Sequence, residues 1–331
     1  MPITNNNEEQ ELQQEIHQEI LQGLQQEQLD VVQEIDRQDN NEEQVFQQEQ
    51  VDVVQEIVDI PAQTSTGGIV NVNVKDTTSP IIFLFGPPAA GKTMTLVRLY
   101  RYLDHISIVI KPNQSFVSND GGEYVSRCKN FHDDATSNLA AEATKGVNFM
   151  LLDIWDNAVK KCQILESPGE GLFEPDPNKN ISFPNQFVSS IMRSKNRKVY
   201  IFILEPNYKD RATRVRYKKR IAEVRKKMKK KDKAIFLYNK IDCSPALDDK
   251  GNVNIKTLRK EINEDYPGLL DLFKVHGPKA IIKEYDCYLI PFQTGDYSEE
   301  FNTVLNKKVK IFSEGDDEYP QELWNTIKKC L

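Results

Sequence analysis

Features that would direct the chain to a particular environment are missing from the sequence. No apolar run approaches the roughly 20 residues of a membrane-spanning helix. The first residues are acidic and amide-rich, whereas a secretory leader is basic and then apolar. The five cysteines are scattered and form no Cys-x-x-Cys pair, which argues against a disulfide framework or a metal site. We therefore expect a cytoplasmic protein with reduced thiols.

Basic residues are almost absent from residues 1–60, which contain 16 acidic residues, 15 glutamines and only Arg37 as a cation. Such a composition buries too little apolar surface to fold alone. The segment nevertheless repeats, because QQEQLDVVQEI at 25–35 returns as QQEQVDVVQEI at 47–57, an offset of about six helical turns. Two interpretations stay open. The segment is either an acidic tail or an amphipathic helix that binds a protein partner or forms a coiled coil.

The rest of the chain divides into a predicted linker, 61–77, rich in small and turn-forming residues, and a predicted folded domain, 78–331. In that domain apolar runs typical of strands alternate with helical patterns. The alternation predicts an α/β fold of three layers, with a mainly parallel sheet between helices. Only a short turn separates the strands predicted at 147–155 and 161–167, so we expect one antiparallel edge strand there. Further strands are predicted at 81–85, 198–204, 233–239 and 285–292, and helices at about 92–103, 210–230, 254–274 and 319–330.

The stretch GPPAAGKT follows the first of these strands and precedes a helix. Gly86, four residues, Gly91, Lys92 and Thr93 form the phosphate-binding loop (P-loop) pattern in the context that it requires. The glycines allow a turn whose amides point at phosphate oxygens, and the helix N-terminus adds its positive end. We expect Lys92 at the β and γ phosphates and the Thr93 hydroxyl on Mg²⁺. Further backbone contacts are predicted from Ala89, Ala90 and Met94.

A second polar group follows the apolar strand KAIFLY, where Asn239, Lys240 and Asp242 spell Asn-Lys-x-Asp. A carboxylate can accept from the ring NH and the exocyclic amine of guanine, whereas adenine would leave it unpaired. The Lys240 stem can cover the base, and Asn239 can tie the loop to the purine or to the P-loop. The alternative is an ordinary strand end with a surface salt bridge.

Together the two motifs resemble those of the P-loop GTPases of the translation-factor and Ras-like (TRAFAC) class, over about residues 78–331. The resemblance implies an Asp-x-x-Gly at the end of the third strand, which reaches Mg²⁺ and senses the γ-phosphate. Glu166 and Gly169 have that spacing, with Glu in place of Asp. Asp153, in mid-strand, is the rival carboxylate.

The resemblance also implies a switch threonine, a residue that orients water and a loop that contacts the base. Thr144 has the position of the threonine, and Thr136 is the weaker candidate. Glu170 stands where the family commonly has Gln, so we expect hydrolysis to be slow or dependent on a partner. Thr294 and Gly295 stand in the base-contacting loop.

Two stretches depart from a compact Ras-like domain. The spacing from Lys92 to Thr144 is long, which predicts that residues 105–128 are an insertion with a strand or two of its own. Residues 170–186 are rich in Pro, Asn and Gly, a composition typical of a switch loop that the γ-phosphate orders.

Residues 209–233 carry 14 basic and 3 acidic side chains. Three interpretations stay open: a solvated helix face, a surface for an anionic partner such as nucleic acid or a membrane, or a docking site for the acidic tail.

The sequence thus predicts a protein that binds GTP and GDP, hydrolyses GTP to GDP with Mg²⁺ and acts as a nucleotide-dependent switch. One alternative is a nucleotide-bound adaptor that scarcely hydrolyses and recruits partners through its N-terminal segment. Another is an ATPase or nucleotide kinase, which would require the Asn-Lys-x-Asp match to be accidental.

Overall fold

The computed structural model describes residues 60–63, 69–72, 74–118, 123–137, 150–166, 191–302 and 307–331. The acidic repeat segment lies outside the described residues, as do Thr144, Gly169, Glu170 and the predicted switch loop 170–186. None of the described helices is long and apolar enough to cross a membrane. The domain boundaries stay a prediction.

Twelve strands are present in the described parts of the chain, most of them four to eight residues long. In chain order they are β1 (Ile60–Gln63), β2 (Ile69–Val72), β3 (Ile81–Phe85), β4 (Val109–Pro112), β5 (Val117–Ser118), β6 (Met150–Asp156), β7 (Val159–Glu166), β8 (Lys198–Leu204), β9 (Lys233–Tyr238), β10 (Tyr288–Pro291), β11 (Asp296–Asn302) and β12 (Lys307–Ser313).

Five α-helices accompany them: α1 (Lys92–His105), α2 (Glu123–Thr136), α3 (Arg211–Lys227), α4 (Ile255–Asp265) and α5 (Glu318–Cys330). Polar residues fix where two of these begin. The Asp210 carboxylate accepts from the Thr213 amide at the start of α3, and the Asn254 side chain accepts from the amides of Lys256 and Thr257 at the start of α4.

The central sheet has seven strands in the order β10-β9-β8-β3-β7-β6-β4. β6 runs antiparallel to both of its neighbours, and the other pairs are parallel. The expected α/β class, with a mainly parallel sheet and one antiparallel strand, is therefore confirmed. That strand lies second from the edge, because β4 of the predicted insertion pairs outside it. The short strands β4 and β5 confirm that the insertion has strands of its own.

Alternate residues of the central strands belong to two separate hydrophobic cores, one on each face of the sheet. Phe83, Phe85 and Tyr200 pack on one face with residues of α3 and α4. Ile82 and Leu84 pack on the other face with residues of α1 and α5. Every residue of β3 and of β8 is buried, as expected for parallel strands that are covered on both faces. The three predicted layers follow directly from this alternation.

The structure differs from the sequence prediction after β9. The helix predicted at 254–274 ends at Asp265, and only a short 3-10 turn, Leu270–Phe273, follows. Pro267 and Gly268 intervene, and Gly268 has a positive φ of 69°, which a continuous helix cannot contain. The antiparallel hairpin β11–β12 was not predicted. It separates β10 from α5 and begins directly after the loop assigned to base contact.

Part of the predicted linker 61–77 also has regular structure. β1 and β2 pair with each other in antiparallel fashion, and β2 pairs with β5 of the insertion. These three strands form a small sheet of their own.

Candidate functional site

The candidate site lies at one edge of the central sheet. β3, β8, β9 and β10 are parallel, so their C-terminal ends meet at the same edge. The P-loop follows β3, the Asn-Lys-x-Asp loop follows β9 and the Thr294 loop follows β10. Ligands of open α/β sheets bind outside this edge of the strands.

Lys92 is folded back over the P-loop. Its Nζ donates to the carbonyl oxygens of Gly86 at 2.8 Å and Pro87 at 3.0 Å, and the residue is buried. A buried ammonium at a helix N-terminus, surrounded by backbone dipoles, attracts anions strongly. The position suits the predicted contact with phosphate.

The P-loop glycines are required by close packing. Gly91 has a φ of 87°, and a Cβ at this position would collide with the Nδ2 of Asn239. A Cβ at Gly86 would lie 3.3 Å from the Cβ of Ile203 on β8. Ala89 also has a positive φ, of 65°, so the loop holds one residue other than glycine in a left-handed conformation.

Two of the predicted Mg²⁺ ligands lie together. The Thr93 hydroxyl donates to the Oε1 of Glu166, at the end of β7, over 2.7 Å. Burial raises the pKa of the Glu166 carboxyl, and the Thr93 hydroxyl, Lys92 and Arg127 oppose that rise. A partly buried carboxylate beside a hydroxyl is a set of hard oxygen donors that suits Mg²⁺.

Asn239 joins the two loops. Its Nδ2 donates to the carbonyl of Ala90 at 3.2 Å, while its own amide donates to the carbonyl of Leu204. Its Oδ1 is buried and has no hydrogen-bond partner among the described residues. The side chain thus ties the strand end after β9 to the P-loop and leaves one acceptor open, which is costly unless a ligand or water satisfies it.

Lys240 and Asp242 lie on the exposed side of this loop. Lys240 has a φ of 57° and forms an ion pair with Glu205, which follows β8. Asp242 is exposed and lies in the short 3-10 turn Ile241–Cys243. The carboxylate is accessible to a ligand.

The Thr294 loop is joined to the Asn-Lys-x-Asp loop through the backbone. Ile241 donates to the carbonyl of Phe292, and Phe292 donates to the carbonyl of Tyr238. Thr294 is buried, and Gly295 has a φ of 135° with no room for a Cβ beside the carbonyl of Ser313. The loop is therefore fixed beside the proposed base site.

The rival candidates are engaged elsewhere. Asp153 forms an ion pair of 2.7 Å with Lys160 and accepts from Asn113. The Thr136 hydroxyl donates to the carbonyl of His132 within its own helix. The structure brings neither of them to Thr93, and Met94 takes its place in the first turn of α1.

Four residues near the site were missed by the sequence reasoning. The Tyr208 hydroxyl donates to the P-loop carbonyl of Pro88 at 2.9 Å. Arg127, in the insertion helix α2, is close enough to Glu166 to oppose the rise of its pKa. Tyr297 lies near Thr294 and Lys240, which oppose the rise in its pKa that burial causes. Glu205, the ion-pair partner of Lys240, could have been found from the sequence because it follows the C-terminal end of a buried strand. The other three had no such signal, since their positions depend on tertiary packing.

A buried strand, a glycine-containing loop and a helix follow one another here within a mainly parallel sheet, and the lysine at the start of the helix donates to carbonyls of the loop. The fold is that of the P-loop nucleoside triphosphatases. No family model matches the chain, and no curated protein matches it.

Solved structures of GTP-binding proteins show a distant likeness. One is nucleolar GTP-binding protein 1 of Plasmodium falciparum, which is 13% identical with a TM-score of 0.39 over 78% of this chain and 88% of that chain. Roco2 of Methanosarcina barkeri bound to GDP is 14% identical with a TM-score of 0.33, over 84% of this chain and 51% of that one. The signal recognition particle receptor SRb-GTP/SRX complex of Chaetomium thermophilum is 12% identical with a TM-score of 0.34, over 76% and 99%. Scores this low leave the assignment of function to rest on the geometry of the site.

Proposed function

We propose that the chain binds guanine nucleotides, hydrolyses GTP to GDP slowly and acts as a nucleotide-dependent switch. The observation that carries this proposal is the hydrogen bond from Asn239 to the Ala90 carbonyl. The bond joins the loop with guanine-type residues to the loop with phosphate-type residues, which supports a single site made of both.

Selectivity for guanine is assigned to Asp242. Its exposed carboxylate offers two acceptors to the ring NH and the amine of guanine. Adenine presents the opposite polarity and would leave the carboxylate unpaired, so discrimination of roughly a hundredfold or more is expected. The ion pair of Lys240 with Glu205 and the bond from the Ile241 amide to the Phe292 carbonyl hold the loop that carries this carboxylate.

The phosphate end fits a magnesium ion. Thr93 and Glu166 would hold it, since both present oxygen and the burial of Glu166 favours a cation beside it. When bound, Mg²⁺ neutralises charge on the β and γ phosphate oxygens. The chain itself supplies Lys92 for the same oxygens and the P-loop amides that orient them. Gly169 is the proposed sensor of the γ-phosphate, and Thr144 the proposed switch threonine.

The rate of hydrolysis depends on what orients the attacking water. Glu170 takes the place of the family's Gln, and a carboxylate there either polarises water or repels the γ-phosphate. Glu166 adds a second departure from the family pattern, since its side chain is longer by one methylene. These departures favour, as a second candidate, an adaptor that binds nucleotide, hydrolyses little and recruits partners through residues 1–60.

Two measurements test the proposal. In the first, GDP, GTP and ATP compete for the full chain against a fluorescent guanine nucleotide. We expect ATP to compete at least roughly a hundredfold less well than GTP, and Asp242→Asn to remove most of that difference. Equal competition by ATP would contradict guanine binding and would favour an ATPase or a nucleotide kinase.

The second measurement is single-turnover release of phosphate from bound GTP with Mg²⁺. Release that Lys92→Ala abolishes supports hydrolysis, and Glu170→Gln reports which way the carboxylate acts. Tight GTP binding without release would replace the enzyme with the adaptor.

A further inference from the structure

The basic run 209–233 is divided by the structure into two parts with different surroundings. Along α3 several cations are used internally. Arg214 donates to the Asp265 carbonyl at 3.0 Å, Lys218 donates to that of Pro267 at 2.6 Å, and Arg225 lies over the Phe273 ring. These three cations therefore pack against α4 and the turn after it. Other cations of α3, among them Arg216 and Lys219, stay exposed.

The cations at the C-terminal end of the run meet a second basic loop that is distant in sequence. We name residues 193–197 and 226–231 together the basic corner. Lys231 Nζ donates to the Lys195 carbonyl at 2.7 Å, and Arg197 Nε donates to the Lys231 carbonyl at 3.0 Å. Lys229 Nζ donates to the Arg193 carbonyl at 3.3 Å. These bonds join the two loops into one surface.

The basic corner is rich in positive charge. Its 11 residues include eight Lys or Arg and no acidic residue. The adjacent Asp232 is buried, and its carboxylate accepts from the amides of Lys198 and Lys229. At the margin, Asp286 already forms an ion pair with Lys283. Lys229 and Lys231 donate to neutral carbonyls, so the repulsion between the cations around them would be relieved by a polyanion.

The position of the corner separates it from the nucleotide site. It flanks Lys198 and Lys233, the first residues of the parallel strands β8 and β9. The P-loop and Asn239 follow the C-terminal ends of strands in the same sheet. A ligand at the corner therefore lies at the opposite edge and does not compete with nucleotide.

We propose that the basic corner binds the phosphate backbone of a nucleic acid. Repeated phosphates at short spacing match closely spaced lysines, and this sequence-independent attraction suffices for binding. The corner contains no aromatic residue on which bases could stack, so recognition of a specific base sequence is not expected.

A membrane surface fits the corner less well. Attachment to a bilayer generally combines basic residues with an apolar or acyl anchor. Met228, the large apolar residue of the corner, is partly buried and packs against the core, so it is not offered to lipid. The corner is a surface of charge alone.

The test measures anisotropy of a labelled single-stranded RNA of about 30 nucleotides with the full chain at several salt concentrations. The variant is the triple change Lys229→Gln, Lys230→Gln and Lys231→Gln. We expect roughly tenfold weaker binding and a slope of log K against log salt that is shallower by about 2, since each phosphate contact contributes about 0.7. Binding of GDP should be unchanged, which shows that the variant is folded.

A matched control changes three exposed lysines elsewhere, Lys250, Lys256 and Lys274, each to Gln. It has the same net charge as the variant and should bind RNA as the unchanged chain does. Equal weakening by the control would overturn the proposal, because net charge alone would then explain binding. Failure to bind RNA together with saturable binding to vesicles of phosphatidylserine and phosphatidylcholine would also overturn it and assign the corner to lipid.

Discussion

The two edges of the central sheet are both built from loops at strand ends, yet they hold charge in opposite ways. At the C-terminal edge, the buried Lys92 and Asn239 and the partly buried Glu166 are all hydrogen-bonded to residues of the P-loop or of the helix start after it. At the N-terminal edge, the basic corner presents exposed cations that backbone carbonyls hold in place. The first arrangement surrounds a small charged ligand. The second leaves its charge on the surface, where an extended partner can reach it.

The difference shows how local chain geometry selects the kind of ligand. Left-handed residues at Ala89, Gly91 and Lys240 turn the chain back on itself at the first edge. The turns bring side chains from separate loops within hydrogen-bonding distance, so the site is preorganised. In the basic corner no such convergence is needed, because long lysine side chains reach solvent on their own.

Replacing Gly91 by Ala should have the largest effect on the nucleotide edge, both on its stability and on its affinity for GDP. The Cβ would displace the Nδ2 of Asn239, and the left-handed conformation adds strain of about 1–2 kcal/mol. We expect a total loss of about 2–3 kcal/mol in the free energy of unfolding and a loss of GDP affinity, measured by urea denaturation and titration.

The matched control for that change is Gly251→Ala. Gly251 also has a positive φ, of 82°, but a Cβ there meets nothing within 4 Å among the described residues. It should lose only the strain and keep its affinity for GDP. If the two variants behave alike, the contact between Gly91 and Asn239 does not organise the nucleotide edge.

A smaller effect is expected from the loss of the contacts that Arg98 of α1 makes with the segment before α5. Arg98 is fully buried and donates to Glu314 at 2.8 Å, Asp317 at 3.0 Å and the Gly315 carbonyl. The double change Glu314→Gln and Asp317→Asn leaves a buried cation with weaker acceptors. Since both acids are nearly half exposed, we expect a loss of about 1–2 kcal/mol in the free energy of unfolding.

The exposed acids of β11 provide the control for this prediction. Glu299→Gln with Glu300→Gln makes the same change of net charge on the neighbouring hairpin and should leave the unfolding midpoint nearly unchanged. A midpoint that falls equally in both double variants would show that charge, and not the Arg98 contacts, is responsible.

The smallest effect, counted over a single pH unit, concerns Lys198, beneath the basic corner. Burial, aided by Lys229 and Lys231, lowers the pKa of its ammonium to about 7 from 10.5. Between these values the unfolded chain binds a proton that the folded chain lacks, so the free energy of unfolding rises with pH. That rise is at most about 1.4 kcal/mol per pH unit, and Lys198→Met should remove it. Urea denaturation at several pH values measures the slope.

An exposed lysine serves as its control, because Lys250→Met should keep the pH dependence of the unchanged chain. If Lys198→Met keeps the full pH dependence of the free energy of unfolding, another group is responsible for it and Lys198 does not contribute.

Local patterns predicted much of the fold and part of the site. The buried strands β3, β8 and β9 were visible as apolar runs, and the P-loop was visible because its glycines and lysine must be adjacent in sequence. The hairpin β11–β12 was not predicted, since β11 has no sustained alternation of apolar and polar residues and exposes Phe301. The helix prediction past Asp265 was wrong because its apolar spacing was followed across Pro267 and Gly268.

The sequence by itself determined the layered fold and the residue types at each strand end, because helical and strand periods and phosphate-binding turns are properties of neighbouring residues. Only the tertiary structure decided that Glu166 meets Thr93, that Asn239 meets the P-loop and that residues 193–197 join residues 226–231. Those contacts join segments far apart in the chain, and their geometry depends on strand order and register, to which no local pattern of residues is sensitive.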